Sequence, residues 1–223
     1  MHDLFVNYLH IFIGVIAVLE LGFIVLFARL FAKTKSKMVL AELLITCGLF
    51  IDSFFIFLGV FVPAGLPLGL SLIRFIAHGA LIPLLFVICG YGLELNPKVL
   101  KIVWIVTLCI SALGIAHAFA LDYDLVTIGK ITRHATAKAT SAFWALKVSN
   151  LLSYGTVIPL MICGIIVWIR KKNPFLFLSG FAMFAFSALG PATGNFDLIF
   201  AISMLGELGM ITFFLLDAKK RLK

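Results

Sequence analysis

The sequence is short of charge. Only 13% of its 223 residues are Asp, Glu, Lys or Arg. A soluble domain carries about a quarter, so an exterior built from this chain does not suit water. Cysteine is also scarce: Cys47, Cys89, Cys109 and Cys163 each lie within an apolar run and form no CxxC pair. They read as small core residues, not as disulfides or thiolate ligands. There is no HExxH or HxxxH pattern and no Ser/His/Asp ordering at usable spacing, which ranks a membrane hydrolase last. No internal repeat is detectable, so a transporter built from inverted halves is not supported. Met1-His2-Asp3 lacks a basic start and the apolar run that follows is too long for a leader, so no cleavable signal is expected.

Apolar residues dominate instead, at 63% of the chain. They fall into seven runs at roughly 7–32, 38–62, 67–93, 99–121, 147–169, 174–192 and 195–217, each near the ~20 residues that cross a bilayer. The expected fold is all-α, a polytopic bundle of seven transmembrane helices forming a single domain over 1–223. Breaks fall at Lys33-Thr34-Lys35-Ser36-Lys37, Pro63-Ala64-Gly65-Leu66-Pro67, Asn96-Pro97-Lys98, Arg170-Lys171-Lys172-Asn173-Pro174 and Gly190-Pro191-Ala192-Thr193-Gly194-Asn195, where proline and glycine turn the chain. Pro83 and Pro159 lie inside runs and are expected to kink them. One longer connection, 122–146, alternates around Gly129 from Leu125 to Arg133, which predicts a short hairpin. Its Ala-rich second half, Ala135 to Leu146, is compatible with an early start of the fifth helix.

The basic residues set an expected orientation. Arg29, Lys33, Lys35, Lys37, Lys98, Lys101, Arg170, Lys171, Lys172, Lys219, Lys220, Arg221 and Lys223 gather on one side, against Lys130, Arg133, Lys138 and Lys147 on the other. That is 13 against 4, so the first side is cytoplasmic and the N-terminus lies outside. The net charge of +8 is thereby a topology and lipid signal, not a nucleic-acid footprint. The expected location is the plasma or inner membrane, with lipids as partners and self-association left open.

Ionisable groups deep in a bilayer are costly, so each implies a partner, water or a function. Counted at about 1.5 Å per residue from the outer end, Glu20 lies roughly 20 Å down, Asp52 roughly 15 Å, His78 roughly 16 Å and Glu207 roughly 18 Å. Arg74 stands one turn above His78 on the same face. Asn150, Ser153 and Tyr154 on the fifth run, with Asp197 and Ser203 on the seventh, extend this slab into a polar funnel from outside. The expectation is a site for a small solute or cation, with the carboxylates exchanging protons and Arg74 and His78 tuning them. The alternative that these groups only pair to fix packing competes with it. Glu42 and Glu94 lie near the cytoplasmic boundary and are expected to reach the headgroups. Gly90, Gly92, Gly206 and Gly209 read as close-packing points.

All five histidines (His2, His10, His78, His117 and His134) fall in the outer half. His10 and His117 lie at matching depth, so His10, His78 and His117 are candidate ligands for haem b or a metal ion. Two local resemblances bear on this. Arg74-Phe75-Ile76-Ala77-His78, continuing to Pro83-Leu84-Leu85, resembles the third helix of microbial rhodopsins, whose seven-helix fold also starts outside. The family's counter-ion carboxylate falls at Ala77 here, and the last run has no lysine before Lys219, so covalent retinal is not expected. The resemblance implies an opsin-like sensor or partner-binding subunit without chromophore. Leu9-His10-Ile11, with Gly22 and Arg29-Leu30-Phe31, is similar to the first helix of small haem-binding membrane proteins, which implies a redox role.

Overall fold

The computed structural model describes residues 2–192 and 199–222, with side chains described over 6–189 and 199–222. Its elements are α1 (His2–Thr34), α2 (Lys37–Leu58), α3 (Leu68–Leu81), α4 (Leu84–Gly92) and α5 (Pro97–Ala120). A hairpin, β1 (Tyr123–Ile128) and β2 (Ile131–Thr136), follows, then α6 (Phe143–Lys171), α7 (Phe175–Ala192) and α8 (Ile199–Arg221). Among the described residues, six helical segments are long and apolar enough to cross a membrane, and α7 is a shorter apolar helix. Large apolar side chains point outward from them, with Val18 70% and Ile169 67% exposed. Water does not tolerate such a surface over a whole bundle, whereas lipid does. The architecture is compatible with a multi-pass membrane protein.

Local chemistry explains the boundaries. Ser36 accepts the Val39 amide to cap α2, and Asn96 accepts the Val99 amide with Pro97 in the first turn of α5. Pro83 divides the third apolar run into α3 and α4, since proline lacks the amide that would continue the helix. Pro159, also expected to kink its run, lies within a continuous α6. The next helix does start before 147, at Phe143, but not from Ala135, because β2 runs to Thr136. The backbone there is committed to the hairpin base, because the Ala137 amide donates to Asp122 O and Ser141 Oγ donates to Ala137 O. Asp197 lies outside the described residues, as does the His2 side chain. All four cysteines are free; Cys89 is buried, but Cys109 is exposed on α5, not a core residue as expected.

The hairpin pairs Tyr123 with Thr136 through Ile128 with Ile131. Its turn needs Gly129, whose φ is +58° and whose missing side chain leaves room for Val6 O. It docks across one end of the bundle: the Thr132 amide donates to Gly59 O, and Ile128 and Ile131 pack with Leu9, Ile13 and Ile56. At the opposite end the basic residues gather. Lys171 bridges to Glu94 at 2.7 Å and Arg221 to Glu42 at 2.8 Å. The expectation that Glu42 reaches headgroups is corrected here, since it is fully buried. Arg221 also pairs with Asp217, which accepts from Asn173 Nδ2 at 2.6 Å. A buried acid persists because it has cationic and hydrogen-bonding partners. Glu94 is exposed, and its bond to Lys171 holds its carboxyl below the usual range.

Between the two ends, α3 and α5 approach closely. A side chain on Gly79 would lie 2.2 Å from Gly114 O, and one on Gly114 would lie 2.2 Å from Gly79 O. Gly206 and Gly209 of α8 similarly seat against Phe186 and Ala182 of α7.

Candidate functional site

The polar cluster lies beneath the hairpin. Arg74 of α3 donates from Nε to Asp52 of α2 at 2.8 Å and from Nη1 to the His134 carbonyl at 3.1 Å. His134 Nδ1 meets Ser71 Oγ at 3.0 Å. From the same strand, the Arg133 guanidinium lies over the Phe200 ring of α8 at 4.0 Å, and burial pulls its pKa down to about 10, leaving it charged at neutral pH. Ser53 donates to Glu20, which is fully buried on α1. Glu207 of α8 is 5% exposed and lies within the fields of Asp52, Glu20 and Arg74.

A cavity of about 300 Å³ opens beside this cluster, lined by His78, Asn150, Ser153, Tyr154, Ser203 and Glu207 among others. A second, of about 210 Å³, is lined by Asp52, His78, His117, Ser149 and Ser153 among others. His78 and Ser153 border both, so His78 forms a wall between them. Among the described residues, Glu207 Oε2 faces no hydrogen-bond partner, nor does Glu20 Oε1. Because a buried polar atom is ordinarily satisfied, such an orphan marks a place for a proton, water or ligand.

The structure thus brings Glu20, Asp52, Arg74, His78 and Glu207 of four helices together, and sets Ser203, Asn150 and Tyr154 on the cavity that Glu207 closes. Asp52, on the second cavity, is matched by Arg74 and one oxygen of Glu20 by Ser53, which leaves Glu207 as the unpaired acid on a lined cavity among the described residues. The histidines do not share one centre. His117 Nδ1 donates to Gly114 O at 2.5 Å and borders the second cavity with His78, while His10 lines a separate apolar groove with Gly14, Phe57 and Phe61. Among the described residues no group of three or more His, Cys, Asp or Glu is placed to hold a metal ion. Sequence reasoning missed Ser53, Ser71, Arg133 and His134. Ser53 meets Glu20 across 33 positions, and a lone serine in an apolar run carries no signal of such a partner. Arg133 and His134 were legible only as loop residues, although the strand alternation that predicts the hairpin also turns them toward one docking face or the other.

Docking of the hairpin carries a pH dependence. The His134 imidazole is held below its ordinary value of 6.5, first by burial and then by the Arg74 charge. The docked state therefore favours the neutral ring, and its stability is complete above 6.5, where the ring is neutral docked or free. As pH falls below that, the undocked hairpin protonates first and docking weakens. Amide exchange across Tyr123–Thr136, corrected for the intrinsic rate, is expected to lose protection between pH 7.5 and 5.5, and the loss should vanish in His134→Gln. Unchanged protection would contradict this assignment.

No protein-family model matches the chain, and no curated protein matches it in sequence. The class that the fold and cluster define is a helical bundle of membrane-spanning type with a polar cavity among its helices. Its reading therefore rests on the site itself.

Proposed function

We propose that this is a multi-pass membrane protein that binds and moves a small polar solute or cation through the cavity closed by Glu207, with proton coupling. The observation that carries the reading is the unpartnered Oε2 of a nearly inaccessible carboxyl at the foot of a lined cavity. Glu207 accepts the solute or a proton, His78 separates the two cavities, and Asn150, Tyr154 and Ser203 orient the occupant. Arg74, locked to Asp52, sets the local field. Glu20, with one free oxygen, is the second proton-carrying group. The hairpin end faces outside and the basic end faces the cytoplasm, supported by the basic-residue asymmetry. The chain is one transmembrane domain in the plasma or inner membrane, in contact with anionic lipids at its basic end.

The test is proteoliposomes loaded with a pH-sensitive dye and challenged with amines, polyols, carboxylic acids and alkali cations. At least one class is expected to move protons. A hydrogen bond to a charged group contributes ~1.5–3 kcal/mol, so Glu207→Gln should weaken the response by about tenfold to a hundredfold. No response from any class, or a full response from Glu207→Gln, defeats the proposal.

A further inference from the structure

We infer that the occupant of the Glu207 cavity is a small amphipathic amine, bound as its ammonium ion; this deepens the reading above and rests on it. The hydrogen-bonding character of the wall points to it. Ser203 Oγ donates to Phe200 O at 2.8 Å, and Ser153 Oγ donates to Ser149 O at 3.0 Å. Both hydroxyl protons are directed at their own helices, so these two residues offer an occupant only lone pairs. Glu207 Oε2 adds a third acceptor with no donor from the protein. Among the described lining residues there is no lysine or arginine. Asn150, Tyr154, Ser187 and His78 can donate as well as accept, but the one charge on the described wall is the Glu207 carboxyl, which favours a donor-rich cation and repels a carboxylate or phosphate.

Two further features separate an organic cation from a metal ion. Hard metal ions take about six or more oxygen ligands, usually including several carboxylates or carbonyls. Among the described residues one carboxyl lines the space and no metal-holding cluster exists. Beside the polar His78, Asn150 and Ser187, the rest of the described wall is apolar or aromatic: Val157, Met183 and Ile199, with Tyr154 and Phe184 exposed at the bundle surface. Aromatic rings attract an ammonium through their faces and cover an apolar tail. At about 300 Å³ the cavity stands at the lower end of small-molecule sites, the size of a single-ring amine.

The charge balance is simple. When Glu207 carries a proton, entry of an ammonium ion onto its carboxylate releases that proton, so one positive charge enters and one leaves. The ionisable groups around Glu207 are Glu20 from α1, Asp52 from α2, Arg74 and His78 from α3 and Tyr154 from α6. The described lining residues of α7 (Met183, Phe184 and Ser187) supply none.

Titration calorimetry on the full purified chain tests this with three near-isosteric probes: 2-phenylethylamine, 2-phenylethanol and phenylacetate. The amine is expected to bind about tenfold or more tightly than either other probe, the value of one charged hydrogen bond. Glu207→Gln should erase the preference. Equal binding of the alcohol or the acid overturns the inference, as does failure of the amine to bind or a preference that survives in Glu207→Gln. If that variant does not fold, the three-probe comparison on the unmodified protein decides alone. Proton movement driven by a non-amine class in the proteoliposomes would leave the transport reading standing and remove this one. Amine binding without proton movement would do the reverse.

Discussion

Arg74→Ala is expected to lower stability by about 3–5 kcal/mol, the range for removing one partner of a buried ion pair. The Arg74 and Asp52 side chains are only 6% and 18% exposed, and their bond is 2.8 Å. Alanine leaves the Asp52 carboxylate with its direct counter-ion gone, in a site that water reaches poorly. The loss extends beyond the pair. His134 O loses its donor, and Phe75, beneath the guanidinium at 4.8 Å, also packs on Tyr123 of the hairpin with centroids 4.4 Å apart. The hairpin should therefore loosen together with the core. Thermal unfolding in detergent measures the first effect and amide exchange over β1 and β2 the second. Adding Asp52→Asn to Arg74→Ala should recover part of the loss, because the orphaned charge is then gone. A single variant within 1 kcal/mol of wild type, on the order of a surface ion pair, would show that the pair is solvated after all.

Gly79→Ala should be of comparable severity, for a steric reason. Its new methyl carbon would lie 2.2 Å from the Gly114 carbonyl oxygen, and a backbone oxygen cannot swing aside as a side chain does. Forced overpacking typically costs about 1–3 kcal/mol, and a backbone obstacle places this case at or above about 3 kcal/mol. The two helices must part, and both carry cavity residues next to the contact. His78 immediately precedes Gly79, while His117 donates to Gly114 O. Solute binding should weaken along with the melting temperature, although position 79 lies outside both cavity walls. Gly114→Ala is expected to behave alike, and the double variant should cost less than the two losses added, since either methyl alone opens the same gap. Unchanged melting in both single variants would mean that the close approach is absent in the protein.

Burial separates the acids of the bundle by role. Glu42 was legible in the sequence as a boundary residue, yet it belongs to a closed network with Arg221, Asp217 and Asn173. Glu20, Asp52 and Glu207 were legible as groups at similar depth, because helical rise converts position into depth. Which of them would be paired was not. That depends on helix rotation and on a hairpin that folds back from about forty residues beyond α3, bringing the His134 carbonyl to Arg74 across 60 positions. The histidines show the same limit: equal depth of His10 and His117 carried no information about azimuth, and they border different spaces.

By itself the sequence determined, over the described residues, the helical runs, most breaks between them and the hairpin around Gly129. Those features are set by local forces: the length of an apolar run, the missing amide of proline and the rise of a helix hold whatever the neighbours do. Tertiary structure alone decided that Arg74 locks Asp52, that Ser53 satisfies Glu20, and that Glu207 is left with a free oxygen at the edge of a cavity. Those outcomes turn on which faces of separate helices meet, and a face acquires its partners only when glycine contacts such as Gly79–Gly114 bring the backbones together.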